Sequence, residues 1–251
     1  MMPAMTRLSR RSWLADAMAT LAGFAASGPG FGAQTTLERR TVSGFHSVLW
    51  DAAGELLIEQ TNREHLTIEA EPAVLAKIVA EVRQGRLSIS FAPGRIETRQ
   101  PIRFHLEVKT LAALESRGSG TLRIGPLSTA SLSLRLGGSD ELRLARLLAQ
   151  SLDARLDGSG DVTIEGGQVD RQRVVIAGAA NYNATRLASR LADVAIEGSG
   201  ELRLAVSERL GATIAGSGDV LFVGQPRVTQ TVTGAGEVRR VRGQEASAQK
   251  P

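Results

Sequence analysis

A short glycine phrase recurs seven times in the second half of this chain. It reads Arg117-Gly118-Ser119-Gly120, Gly137-Gly138-Ser139-Asp140, Asp157-Gly158-Ser159-Gly160, Ala177-Gly178-Ala179-Ala180, Glu197-Gly198-Ser199-Gly200, Ala215-Gly216-Ser217-Gly218 and Thr233-Gly234-Ala235-Gly236. The leading glycines are spaced 20, 20, 20, 20, 18 and 18 residues apart. A fixed period of this size signals a solenoid, in which each repeat buries its apolar face against its neighbours.

Aligning the repeats on the leading glycine reveals columns. Two residues before it stand Ser116, Leu136, Leu156, Ile176, Ile196, Ile214 and Val232. Four residues after it stand Leu122, Leu142, Val162, Tyr182, Leu202, Val220 and Val238, and six after it Ile124, Leu144, Ile164, Ala184, Leu204 and Phe222. Apolar residues separated by two are the mark of strands with alternate side chains inward. Each repeat is therefore a coil with one strand before the corner and one after it, and the fold class is all-β. The corner needs glycine because a sharp turn between strands often demands positive φ, which costs glycine little. Ser119, Ser139, Ser159, Ser199 and Ser217 share that corner and are placed to form a hydroxyl ladder. The two shorter coils lose their residues between the second strand and the next inward strand, so the deletion is expected in a loop that leaves the register intact.

Before the repeat, residues 37–110 read as strands that begin and cap the solenoid. Val42–Val48, Glu55–Gln60 and Leu66–Ala70 have strand composition, with Ala52-Ala53-Gly54 as a turn. Pro72 opens a single helical turn. Gln84-Gly85 joins Val79–Arg83 to Arg86–Phe91 as a hairpin. Ile102–Val108 alternates apolar and polar residues. Residues 111–241 form the solenoid, and 242–251 a disordered tail.

The first 33 residues read as an export signal. Arg7 to Arg11 give a basic start, Ala17 to Ala26 a mildly apolar run, and Ser27 to Ala33 a small-residue stretch. Arg10 and Arg11, within Ser9-Arg10-Arg11-Ser12-Trp13-Leu14, resemble the twin-arginine signal. The apolar run is shorter than the ~20 residues of a membrane span, so the mature chain is expected to be soluble, exported and periplasmic. The chain has no cysteine, which excludes disulfides and thiolate metal sites. Its formal net charge is +4, with no block of like charge and no basic stripe interleaved with aromatics, so nucleic-acid binding is not supported.

Gly44, Phe45 and Val48 form a Gly-Phe-x-x-Val phrase, followed by a hairpin and by Gly-Ser-Gly-Asp corners at Gly158 to Asp161 and Gly216 to Asp219. In these features, over roughly residues 40–240, the chain resembles the head GIN domain family of auto-transporter adhesins. The resemblance implies a right-handed parallel β-helix of about seven coils in a bacterial cell-envelope protein. It brings no catalytic residues and no cofactor with it. The ten residues after Val241 are too few for a membrane barrel, so self-translocation is not expected.

The sequence offers four candidate chemistries: paired carboxylates, calcium, histidine ligands and a sugar contact. An acidic column, Glu141, Asp161, Glu201, Asp219 and Glu237, runs beside arginines at 143, 203 and 239. Paired carboxylates serve acid–base chemistry on polysaccharides, but charges that recur in every coil fit a solvated, ion-paired face better. Calcium turns repeat every nine residues, and a period of 18–20 does not gather 6–8 oxygen ligands. His46, His65 and His105 lie outside the solenoid without ligand spacing. The local anomaly is coil four, where Ala179-Ala180 replaces Ser-Gly and Asn181-Tyr182-Asn183 follows. An aromatic ring between two amides suits a sugar contact; the plainer alternative packs Tyr182 inward. The expected function is a non-enzymatic adhesin or scaffold with an envelope glycan or protein as partner, and the alternative is a β-helix protein that binds or cleaves polysaccharide.

Overall fold

The computed structural model describes residues 34–242. The expected export signal of residues 1–33, Arg10 and Arg11 included, and residues 243–251 lie outside the described residues. Strands β1 (Thr36–Arg40), β2 (Ser47–Asp51), β3 (Ala53–Gln60) and β4 (His65–Ala70) precede a one-turn helix, α1 (Pro72–Leu75). They are followed by β5 (Ile78–Arg83), β6 (Arg86–Phe91) and β7 (Arg103–Val108). The repeat contributes β8 (Ala113–Ser116), β9 (Ser119–Ser128), β10 (Ser131–Leu136), β11 (Glu141–Leu156), β12 (Asp161–Ile164) and β13 (Gly167–Ile176). It continues with β14 (Asn181–Ile196), β15 (Glu201–Ile214), β16 (Asp219–Val223), β17 (Arg227–Val232) and β18 (Val238–Arg240).

These strands form a β-solenoid, as the columns require. Coil pairs with coil in parallel register, residue n with residue n + 20 through most of the stack: Leu122 with Leu142, Leu136 with Leu156, and Ile176 with Ile196. Past coil five the offset becomes 18, as in Leu202 with Val220 and Ile214 with Val232. The seven corners bound six full turns. The inward columns of the first six coils are buried, and they merge into one core cluster. At ~1.5–3 kcal/mol for each fully buried aliphatic side chain, these columns are the main force holding coil to coil.

The N-terminal region closes this stack in an order the chain does not follow. The strands after the hairpin, β6 and β7, lie against β2 and β3, which in turn lie against β8 and β9. The coil next to the repeat is thus the one made first in sequence. Antiparallel strands then cover the end: β4 on β7, β1 on β4, and β5 on β6. The β5–β6 hairpin turns at Gln84 and Gly85, both at positive φ (49° and 75°), the geometry of a two-residue turn that matches strand twist. Trp50 is fully buried there, with its ring edge-on to Phe104 at 4.9 Å. One expected strand is shorter than its composition suggests. Residues 42–46 are irregular and β2 begins at Ser47, because Gly44 takes φ +76°, outside the strand region.

The corner glycines are required for a different reason from the one the sequence suggests. None of the seven leading glycines has positive φ. Each instead lies against the corner of the preceding coil. A Cβ on Gly158 would sit 1.9 Å from Gly138 O, and one on Gly198 would sit 2.0 Å from Gly178 O. The close approach lets the following amide donate down the stack: Ser159 N to Gly138 O at 3.1 Å and Ser199 N to Gly178 O at 3.0 Å. The ladder along this edge is therefore a backbone ladder, and the five corner serines turn their side chains to solvent.

The shortening of coil five also differs from expectation. It falls inside the paired strands β14 and β15, as register shifts between Ala184 and Ala188 and between Ser189 and Leu191. No loop is available there, because β14 and β15 each run as one continuous strand through this side of the coil. The flanking columns keep register because the change is confined to a bulge.

Candidate functional site

The acidic column projects outward from the start of each second strand. Its aspartates accept hydrogen bonds from the next coil. Asp161 Oδ1 accepts from the backbone N–H of Asn181 at 3.3 Å and from its side-chain Nδ2 at 2.9 Å. Asn181 Oδ1 accepts from Glu201 N at 3.1 Å, and Asp219 Oδ1 accepts from Glu237 N at 2.8 Å. The glutamates pair along their own strands: Arg143 Nη2 lies 2.5 Å from Glu141, and Arg203 Nη2 donates to Glu201 Oε2 at 3.0 Å. Every second residue of a strand shares a face, so an acid and the arginine two positions on meet without any fold beyond the strand itself. Exposed pairs of this kind are worth ~0–1 kcal/mol each.

Coil four divides its three singled-out residues between two faces. Asn181 is exposed and Asn183 half-buried on the outer side, whereas Tyr182 is fully buried. The tyrosine ring occupies an inward column where its neighbours are Val162 and Leu202, and the small Ala184 and Ala192 leave room for it. Its hydroxyl donates to Gln172 Oε1 at 3.1 Å, Gln172 Nε2 donates to Ser189 Oγ at 2.8 Å, and Ser189 Oγ donates to Ala205 O at 2.7 Å. Burial raises the phenol far above its ordinary range, so Tyr182 stays neutral. The chain of donors ends on a carbonyl within the bulge of coil five. The broken corner phrase thus belongs to a buried seam where the period changes from 20 to 18. Gln172, standing in a column otherwise filled by Leu152 and Ala192, was the sequence signal for it.

A second buried polar pair escaped the sequence reading. Ser116 Oγ donates to Asp140 Oδ2 at 2.5 Å, and both residues are fully buried. Ser116 stands in a column of Leu and Ile, while Asp140 stands where other coils have Gly160, Ala180, Gly200 or Gly218. The two polar exceptions compensate each other in adjacent coils. Desolvation raises the Asp140 pKa, opposed by the bond from Ser116, and its Oδ1 has no partner among the described residues.

His105 Nε2 lies 2.8 Å from Glu59 Oε2 across neighbouring coils, and His46 packs on Gly85. Among the described residues no three His, Asp or Glu side chains gather in a metal-binding group. Shallow clefts lie on the surface of the described residues. One of about 650 Å³ lies at the N-terminal end beside Arg39, Asn62, Arg63, His65 and Lys109. Another, about 410 Å³, lies on the outer face over Arg173, Asp193, Thr213 and Thr231.

A family model described as putative auto-transporter adhesin, head GIN domain, matches residues 44–226. The chain belongs to the head GIN domain family. This head GIN domain has the fold of a putative adhesin from Bacteroides fragilis, with a TM-score of 0.78 over 84% of this chain and 98% of that one, at 19% identity. A putative adhesin from Parabacteroides distasonis matches with a TM-score of 0.67 at 19% identity, covering 83% and 98% of the two chains. A protein of the same organism described as a putative lipid binding protein matches with a TM-score of 0.66 at 21% identity, covering 83% and 97%. No curated protein is significantly similar to this head GIN chain.

Proposed function

We propose that this is a non-enzymatic, exported protein of the bacterial cell envelope whose solenoid faces serve adhesion or scaffolding. The observation that carries the reading is the commitment of the acidic column. Its carboxylates cap the next coil or pair with an arginine two residues on, and the arrangement recurs coil after coil. Chemistry would need a local exception aimed outward, and the two polar exceptions in coils two and four both point into the core. A face that repeats its groups at the ~4.8 Å strand spacing suits many weak contacts with a repetitive partner, whose strength comes from number. Family membership and the similarity to the Bacteroides fragilis adhesin support this reading.

The partner is an envelope glycan or protein, and the Asn181 and Asn183 amides are the proposed contact in coil four. No cofactor enters the reading. No helix among the described residues is long and apolar enough to cross a membrane. Residues 1–33 serve as a twin-arginine signal, 37–110 as the capping region, 111–241 as the repeat, and 242–251 as a tail. Periplasmic accumulation should be lost when Arg10→Lys and Arg11→Lys are combined; unchanged export would remove that assignment. For the adhesive role, purified protein is incubated with isolated envelope fractions and on a glycan array. Retention without cleavage is the expected result. Release of hydrolysis products that disappears in Asp161→Ala or Glu201→Ala would overturn it in favour of a polysaccharide-cleaving enzyme.

A further inference from the structure

The last coil is built differently from those before it. Inward columns that hold Leu210, Ala212, Ile214, Val220 and Phe222 in coil six hold Val228, Gln230, Val232, Val238 and Arg240 in coil seven. Every residue of β17 is exposed, and Val228 and Val232 leave 37% and 40% of their surfaces open. Residues of a parallel stack turn their N–H and C=O alternately toward one neighbour and the other. Thr233 N donates back to Ile214 O at 2.9 Å. Val228, Gln230 and Val232 are out of phase with Thr233, so their main-chain groups point away from β15. On that side nothing follows among the described residues, since β17 pairs with β15 and β18 with β16.

This open edge is cationic. Among the described residues Arg227, Arg239, Arg240 and Arg242 stand there against a single acid, Glu237, which leaves four minus one, or +3. Arg239 approaches Glu237 only to 4.0 Å, and Arg227, Arg240 and Arg242 have no ion-pair partner among the described residues. We propose that the C-terminal edge of the solenoid docks an acidic, extended peptide segment, which adds to β17 as the next strand. The free groups of Val228, Gln230 and Val232 supply the main-chain bonds, as in other cases of strand addition. Apolar residues at alternate positions of the segment cover the two valines, and its carboxylates meet the arginines. A second copy of this chain would bring +3 against +3, which opposes self-association at this edge. The inference stands on strand pairing and charge, independently of whether the solenoid faces serve adhesion.

The test uses the full chain and a fluorescent peptide, Asp-Val-Glu-Thr-Glu-Val-Asp, read by anisotropy at low salt. Binding is expected, and it should weaken at least tenfold when lysines replace the acids of the peptide. Gln230→Pro removes an N–H that no bond among the described residues uses, at a position where an edge strand tolerates proline. It should weaken binding at least tenfold with Tm unchanged. If that variant loses Tm, the double variant Arg227→Glu with Arg240→Glu tests the same edge through charge and should show the same loss. Equal binding of the basic peptide, or indifference to both variants, would overturn the proposal. So would a dimer in sedimentation that Gln230→Pro dissociates, because a second copy would then be the occupant. Protection of the Val228, Gln230 and Val232 amides from hydrogen exchange without peptide would overturn it too, by showing the edge already covered by residues 243–251.

Discussion

The two ends of the solenoid solve the same problem in opposite ways. A stack of parallel coils ends in unpaired strand edges and an open core, and both invite unwanted association. At the N-terminal end the chain builds β2 and β3, leaves them, and returns to insert β6 and β7 outside them. It then shuts the stack with antiparallel β1, β4 and β5, so that Leu66, Ile68, Phe104 and Leu106 are buried beneath the cover. At the C-terminal end there is no such cover among the described residues. Polar Gln230 and Arg240 occupy core columns instead, and the last strand is exposed along its length. The contrast separates closing an edge by architecture from softening it by composition. The first places large side chains under cover; the second leaves a coil that contributes little to the core and remains free to pair.

The contrast predicts unequal costs for equivalent truncations. Leu106 pairs with Ile58 on one side and Leu66 on the other, and it is fully buried. Leu106→Ala should cost about 3–5 kcal/mol, the upper part of the range for a buried leucine that cannot be compensated by collapse. Val232→Ala, at a site 40% open, should cost less than about 0.5 kcal/mol. Urea denaturation of both variants checks the pair. Similar losses would mean that the last coil is covered after all and that the two ends are alike.

The corner glycines sharpen the comparison at the next lower cost. Gly158 and Gly234 face the same clash, with a Cβ 1.9 Å from Gly138 O and 1.8 Å from Gly216 O respectively. Coil three is held between neighbours, so Gly158→Ala must push apart two packed coils and should lose about 3 kcal/mol. Gly234→Ala can lift the terminal coil away from coil six, where little apolar surface is lost, and should cost about 1 kcal/mol. Hydrogen exchange distinguishes the two: the second variant should release amides in β17 and β18 alone.

What was legible in the sequence follows the same division. The repeat exposes its architecture because inward columns recur at fixed spacing, so the inward places of Leu122, Leu142 and Leu202 are readable from the sequence alone. The hairpin at Gln84-Gly85 and the turn at Pro72 were legible because local backbone preference decides them. Stacking order at the N-terminal end was not legible, since nothing in β6 or β7 marks them as lying outside β2 and β3. The leading glycines misled for a related reason: φ is a local property, whereas the approach of Gly158 to Gly138 arises only when coils stack. Coil four was recognised as an anomaly, but a tyrosine between asparagines looks the same in sequence whether its ring faces solvent or core. Partner chemistry was legible only as surface charge, because no residue of the outer faces departs from the repeat strongly enough to name a ligand.

Between the two ends lies the seam of coil four, where the predicted effect is intermediate. Tyr182→Phe removes the donor to Gln172 Oε1 and leaves that oxygen buried without a partner. An orphaned buried acceptor costs ~1–3 kcal/mol, and about 1–2 kcal/mol is expected here. Since the donor chain runs on through Ser189 to Ala205 O, the loss should appear as faster exchange around the bulge of β14 and β15. Uniform loss of protection throughout the stack would contradict the assignment of this network to the register change.

The smallest effect is expected at Ser116 and Asp140, in the well-closed half, and it has a pH sign. Asp140 is raised by desolvation, with the Ser116 hydroxyl pulling the other way. A carboxyl whose folded pKa exceeds its unfolded value stabilises the fold fully below the unfolded pKa of about 3.9. That contribution is lost as pH rises through the raised folded value, above which Asp140 is a burden on the closed half. Replacing the pair with the residues of neighbouring coils, Ser116→Leu with Asp140→Gly, removes the buried charge and restores the apolar column. The double variant should be more stable at pH 7 by about 1 kcal/mol, since buried polar pairs often yield to apolar packing. Its advantage should shrink as pH falls through the raised folded value and level off below the unfolded value of about 3.9. Each single variant should be worse than the parent: Asp140→Gly strands the Ser116 hydroxyl, and Ser116→Leu strands the carboxylate. Thermal melts of the four proteins from pH 3 to pH 8 complete the cycle, and additivity of the two singles would show that the residues are not coupled.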